Sequence, residues 1–146
     1  MPQDPSPYPQ ITPYLLYEDV SRALDWLAQA FGFRERLRFP DAEGTVSHAE
    51  MELGGGVIML GHPGPDYKSP KRLGQATQLV HVYVDDVDRH CERAREAGAT
   101  ILQEPEDQAY GDRRYDAEDL EGHVWSFAQH VRDVAPADWG AVEPPA

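Results

Sequence analysis

The feature that most constrains this chain is a repeat at a spacing of 67 residues. Leu79 to Gly98 reads as a strand, with Val80, Val82 and Val84 on one face and Leu79, His81 and Tyr83 on the other. It runs through an Asp86 N-cap into a helix that stops at Gly98. Thr12 to Arg22 repeats this order, an alternating strand, then Asp19, then a helix ending at Gly32, so that Asp19, Val20 and Arg22 fall on Asp86, Val87 and Arg89. Strand-Asp-helix junctions are common, and one match would carry little. The same spacing also places Gly55, Val57 and Leu60 on Gly122, Val124 and Phe127, and two separated segments sharing one offset predict two copies of one strand-helix-strands unit.

The first unit, residues 11–61, is predicted to hold a strand over 11–17, a helix over 20–31 and three further strands. Ala23, Leu24, Trp26, Leu27, Ala30 and Phe31 form the helix's apolar stripe and are read as core. In the strand over 45–53, Ala49, Met51 and Leu53 share one face and His48, Glu50 and Glu52 the other, and Gly54 to Gly56 turn it back into Val57 to Leu60. The second unit, 76–131, repeats the order with strands near 100–103, within 110–117 and through 123–131. Between them, 62–75 is a Pro- and Gly-rich linker carrying Lys68, Lys71 and Arg72, either a lid or a solvated connection. Residues 1–10 form a Pro-rich extended tail and 132–146 a second tail, which is disordered or packs Trp139 on a neighbour.

The chain is long enough to bury a core as one domain of two modules. Its 26 acidic and 13 basic residues give a formal charge of −13, which disfavours nucleic acid and anionic membrane and suits a cationic ligand. The lone Cys91 excludes an intrachain disulfide, and no apolar run reaches the roughly 18 residues of a membrane span, so a cytoplasmic location is expected. Cys91, in mid-helix, reads as a small buried hydrophobe and not as a nucleophile. Gly54-Gly55-Gly56 lacks the Lys-Ser or Lys-Thr of a phosphate loop.

Paired units of this kind, with the Val84-Asp85-Asp86-Val87 junction and the acidic turn before the last strand, resemble the vicinal oxygen chelate superfamily of glyoxalase I, bleomycin-resistance proteins and extradiol dioxygenases. Tyr14 to Val20, Leu79 to Val87, Ala97 to Thr100 and Asp119 to Phe127 carry the resemblance. Tyr110-Gly111-Asp112-Arg113 and Gly122-His123-Val124-Trp125 are similar to a subgroup encoded beside phosphonate-metabolism genes. The resemblance implies an α+β fold, two βαβββ modules whose curved mixed sheets form a ligand cleft, and a homodimer. Polar residues then fall on the cleft side: Tyr14, His48, Glu50, His81, Tyr83 and Arg113, with Thr12, Met59 and Ser126 beside them. A solvated sheet face is the alternative for His48 and the glutamates.

The resemblance also implies four metal-ligand positions, which in this chain hold Thr12, Met59, Leu79 and Ser126. None offers the imidazole, carboxylate or thiolate that zinc, nickel or iron requires, so no cofactor is expected at the family positions. A different metal site remains open if His48, Glu50, Glu52 and His81 meet across the cleft. Two functions follow: metal-free binding of a small organic molecule, cationic or aromatic, as in drug sequestration, or a lyase or isomerase of the glyoxalase type with His48 or His81 as catalytic base. A dimeric scaffold is a third.

Overall fold

A computed structural model describes residues 8–146; Pro2, Pro5 and Pro7 of the predicted tail lie outside them. Two separate four-stranded sheets are present, in the orders β1-β4-β3-β2 and β5-β8-β7-β6. The first comprises β1 (Tyr14–Leu16), β2 (Arg34–Pro40), β3 (Val46–Leu53) and β4 (Gly56–Gly61), with α1 (Val20–Phe31) after β1. The linker contains the short α2 (Pro70–Leu73). The second sheet comprises β5 (Leu79–Tyr83), β6 (Thr100–Asp107), β7 (Asp112–Glu118) and β8 (Val124–His130), with α3 (Val87–Glu96) after β5. In each sheet the first strand pairs parallel with the last, and the other pairings are antiparallel.

The repeat holds down to hydrogen-bond register. Tyr14 stands opposite Met59 as His81 does opposite Ser126, and Leu15 opposite Leu60 as Val82 does opposite Phe127. Each helix starts the same way: Asp19 Oδ1 accepts the amide of Arg22 at 3.0 Å and Asp86 Oδ1 that of Arg89 at 3.1 Å, filling amides that helix starts leave free. The first bulge of each edge strand also corresponds, between Glu35 and Leu37 and between Ile101 and Gln103. The copies diverge in their second bulge, between Phe39 and Pro40 in β2 but between Gln103 and Glu106 in β6, and in the turn before the last strand. Glu52 pairs with Val57 but Glu118 with Val124, so the second turn is one residue longer and β7 lies one residue out of step with β3.

Differences from the predicted elements are local. β1 is three residues long because Pro13 has no amide to extend the ladder, although its carbonyl still accepts from Met59 at 2.9 Å. β6 runs on to Asp107, and Pro136–Trp139 forms a 3-10 turn that sets Trp139 5.6 Å from the Tyr110 ring of its own chain. The linker is strapped down: Ser69 N and Arg72 Nη1 both donate to the Glu18 carboxylate, Tyr67 Oη donates to Leu16 O, and Lys71 N donates to Glu121 O.

One core joins both units. Leu24, Leu27 and Phe31 of α1, Val87, Cys91 and Ala94 of α3, and Met51, Tyr115, Trp125 and Phe127 of the sheets are all buried in it. Phe31 ends α1 with its ring 5.4 Å from Trp125 and 4.6 Å from Phe127, which is how the first helix reaches the second sheet. A Phe→Ala change at such a position costs ~3–5 kcal/mol. Because side chains alternate along a strand, the residues between these core positions project from the opposite, helix-free face of each sheet. Those two open faces carry the candidate chemistry.

Candidate functional site

On the first open face, strand alternation brings His48 and Glu50 of β3 beside Met59 and Gly61 of β4 and beside Leu37 and Phe39 of β2. Tyr14 projects from β1 and leans across Gly61, where a Cβ would come within 2.6 Å of its ring. A glycine there is what lets the phenol reach the next strand. Tyr14 Oη lies 2.8 Å from His48 Nδ1, and His48 Nε2 lies 3.2 Å from Glu50 Oε2. With the proton on Nε2 both contacts are satisfied, the phenol donating to Nδ1 and the imidazole donating to the carboxylate.

Glu50 is 4% exposed although it carries a carboxylate on a face turned from the core. Tyr8 from the N-terminal segment covers it, donating its hydroxyl to Glu50 Oε2 at 3.2 Å, while the Tyr8 ring lies 5.0 Å from the Arg36 guanidinium carbon. Arg36 sits at the bulge of β2 and its Nε approaches Glu52 Oε2 at 3.7 Å; Arg34 also pairs with Glu52. Among the described residues, two buried side-chain atoms lack a hydrogen-bond partner, Glu50 Oε1 and Arg36 Nη1, and both belong to this cluster.

The second open face differs in chemistry. His81 Nδ1 lies 3.2 Å from the buried Ser126 Oγ, and the His81 ring packs edge-on to Tyr83 at 5.1 Å. Burial, helped by nearby Arg114, pushes the His81 imidazole below its ordinary range and favours the neutral ring. The one-residue shift of β7 puts Arg114 and Asp116, paired at 3.2 Å, where the first sheet has His48 and Glu50. Tyr83 donates to Asp112 Oδ2 at 2.8 Å; His130 reaches Asp112 at 3.0 Å and Asp133 at 2.7 Å, and those two carboxylates raise its pKa.

The structure therefore brings together Tyr14, His48, Glu50 and Met59, and separately His81, Tyr83 and Ser126. No hydrogen bond or ion pair among the described residues joins one open face to the other. Tyr14 and His81 do line a common cavity of about 420 Å³ with Pro13, Gln78 and Leu79. Arg113, expected in the cleft, is on the helix side instead: it shares the face of Tyr115 and binds Asp88 of α3 at 3.1 Å and Asp107 at 3.2 Å. Thr12 Oγ1 donates to Pro9 O at 3.1 Å. Glu52 is engaged by Arg34 and Arg36, so it does not join His48, Glu50 and His81 in one donor set. Tyr8, Arg36, Gly61, Arg114 and Asp116 were not picked out from sequence. A bulge moved Arg36 and a longer turn moved Arg114 and Asp116 out of step, Tyr8 is placed by a contact 42 residues away in sequence, and only Gly61, small where β4 needs a side chain, left a signal.

The family's metal positions hold a hydroxyl bonded to Pro9 O, a thioether, an isobutyl group and a hydroxyl beside His81, a donor set that does not fit a zinc, nickel or iron site.

Two βαβββ units with open mixed sheets define a protein of the glyoxalase and bleomycin-resistance fold. Residues 10–127 match the Glyoxalase/Bleomycin resistance protein/Dioxygenase superfamily, and the chain belongs to it. It is 42% identical to TioX from Micromonospora sp. ML1, with a TM-score of 0.69 over 83% of this chain and 98% of that one. A glyoxalase/bleomycin resistance protein/dioxygenase from Nocardioides shares the fold at 17% identity, with a TM-score of 0.64 over 93% and 90% of the two chains. An uncharacterised protein of Mycobacterium bovis is 36% identical over 131 residues, which is 86% of each chain. No described helix is long and apolar enough to cross a membrane.

Proposed function

We propose that this protein binds a small aromatic or cationic organic molecule on the open face of its first sheet, without the family's metal, and acts by sequestering it. The observation that carries this reading is the Tyr14-His48-Glu50 chain, a phenol and an imidazole ordered by a buried carboxylate, at a site whose metal positions have lost their donors. A buried carboxylate with an unpaired oxygen is costly unless something supplies the missing hydrogen bond, and a ligand donor does so. Tyr14, Leu16, Phe39, Leu79 and Tyr83 stand exposed on the two open faces. Closing a cleft over the ligand then calls for a second copy of the chain, so the working unit is a homodimer. The lone buried Cys91 accords with a reducing, cytoplasmic setting.

The test is a thermal-shift and calorimetric screen of neutral and cationic aromatics against chelator-stripped protein, with molar mass measured in parallel by light scattering. Binding that is unchanged by added zinc or manganese and weakened at least tenfold in Glu50→Gln is the expected result. Binding that appears only after metal is added would sink the reading, and a monomer under saturating ligand would remove the dimer.

The second reading is a lyase or isomerase with His48 or His81 as base. Glu50 orients the His48 ring, and His81 is held neutral by burial, as proton abstraction requires. It predicts deuterium exchange into a carbon-acid carbonyl probe that is lost in His48→Asn or His81→Asn; exchange equal to buffer alone rejects it.

A further inference from the structure

On the reading that the first open face is the binding site, we infer that Tyr8 is a built-in occupant of its ligand seat and that the seat takes a neutral, electron-rich aromatic ring carrying a hydroxyl donor. The Tyr8 side chain is itself such a molecule. Its hydroxyl donates to Glu50 Oε2 at 3.2 Å and its ring receives Arg36 at 5.0 Å, so one end of the seat is an acceptor and one wall is a cation. Arg36 attracts the negative face of a neutral ring and repels a cationic one, which narrows the aromatic-or-cationic class to phenols.

The occupant fits the seat incompletely. Glu50 Oε1 and Arg36 Nη1 remain buried and unpartnered among the described residues with Tyr8 in place. A ligand that repeats the Tyr8 contact and also supplies a donor to Oε1 or an acceptor to Nη1 gains what Tyr8 leaves unmade. Departure of Tyr8 breaks no strand pairing, because the first ladder residue is Tyr14 and the segment before it is tied by Thr12 Oγ1 to Pro9 O. Tyr8 thus competes with ligand at an effective concentration set by its tether, which lowers apparent affinity and rejects rings that cannot displace it.

The probe is p-cresol, the side chain of tyrosine as a free molecule, titrated into full-length protein and followed by the amide resonances of Met59 and Gly61. Toluene, the same shape without the hydroxyl, is titrated as control. Tyr8→Ala is expected to bind p-cresol at least tenfold more tightly than the wild type, Tyr8→Phe to lie between them, and toluene to gain less than p-cresol from either change. Adding Glu50→Gln to Tyr8→Ala should remove the gain. Equal p-cresol affinity in wild type and Tyr8→Ala, a gain that survives Glu50→Gln, or toluene matching p-cresol each overturns the inference. If one of these results is found while the screen's ligands still bind chelator-stripped wild type and lose affinity in Glu50→Gln, the metal-free binding reading stands and only the role of Tyr8 falls. If both fail, the face is not the site.

Discussion

Tyr17 donates its hydroxyl to Asp119 Oδ2 at 2.7 Å, across 102 residues of chain and inside the core. The contact joins the end of β1 to the turn between β7 and β8, tying the two modules. Asp119 is satisfied on all sides: Trp125 Nε1 donates to the same oxygen at 3.1 Å, and the amides of Glu121 and His123 donate to Oδ1 at 2.9 and 3.0 Å. The repeat does not reproduce this tie, because the position matching Tyr17 is Val84 and the shorter first turn, Leu53 to Gly56, holds no carboxylate.

Replacing one donor around that carboxylate should therefore cost less than removing the carboxylate. Tyr17→Phe is expected to lower stability by ~1–2 kcal/mol, and Asp119→Ala by more, ~3 kcal/mol or above, because it strands a buried phenol, an indole N–H and two turn amides. Urea unfolding measures both; an Asp119→Ala loss no larger than that of Tyr17→Phe would refute the tie.

Gly61→Ala tests the geometry of the open face without touching a polar group. A Cβ would meet the Tyr14 ring at 2.6 Å, so the ring must swing away and release His48 Nδ1. Ligand affinity at the face should fall about fivefold, the equivalent of a ~1 kcal/mol hydrogen bond, and as far as in Tyr14→Phe. The His48 Nδ1 resonance should move in both variants, and an unmoved resonance in Gly61→Ala counts against the arrangement.

His90 gives the fold a pH dependence. It sits between the modules, its Nε2 donating to Phe31 O at 2.9 Å and its Nδ1 facing the Tyr115 hydroxyl. Burial, with Arg93 nearby, lowers its pKa below 6.5. Below pH 6.5 the unfolded chain takes up a proton that the folded chain refuses, so stability present above that pH is lost as pH falls toward the folded value. Urea midpoints between pH 7.5 and 5.5 should fall with acidification, and fall less steeply in His90→Gln; equal slopes would remove His90 from the account.

Glu18 should hold the linker until strongly acid pH. Hydrogen bonds from Ser69, with the Arg72 guanidinium, hold its carboxyl down to about 2. Its contribution is complete above its ordinary value of about 4.5 and fades as pH falls toward 2. Glu18→Gln at neutral pH should speed limited proteolysis within 62–75, whereas an unchanged cleavage rate would show that Tyr67 and Lys71 suffice.

Periodicity and caps are local properties, and the sequence alone determined them: the two units, their shared register from Tyr14 and Met59 to His81 and Ser126, the helix starts at Asp19 and Asp86, and the side of the sheet on which His48 and Glu50 fall. The tertiary structure decided the rest. Whether Arg113 or Arg114 faces the open side depends on one extra residue in a turn, and a single-residue slip exchanges the faces of a strand. That Tyr8 covers Glu50 depends on a contact between residues 42 apart, made by a segment whose own pattern carries no signal. Alternation fixes which face a side chain takes; only packing in three dimensions fixes what it meets there.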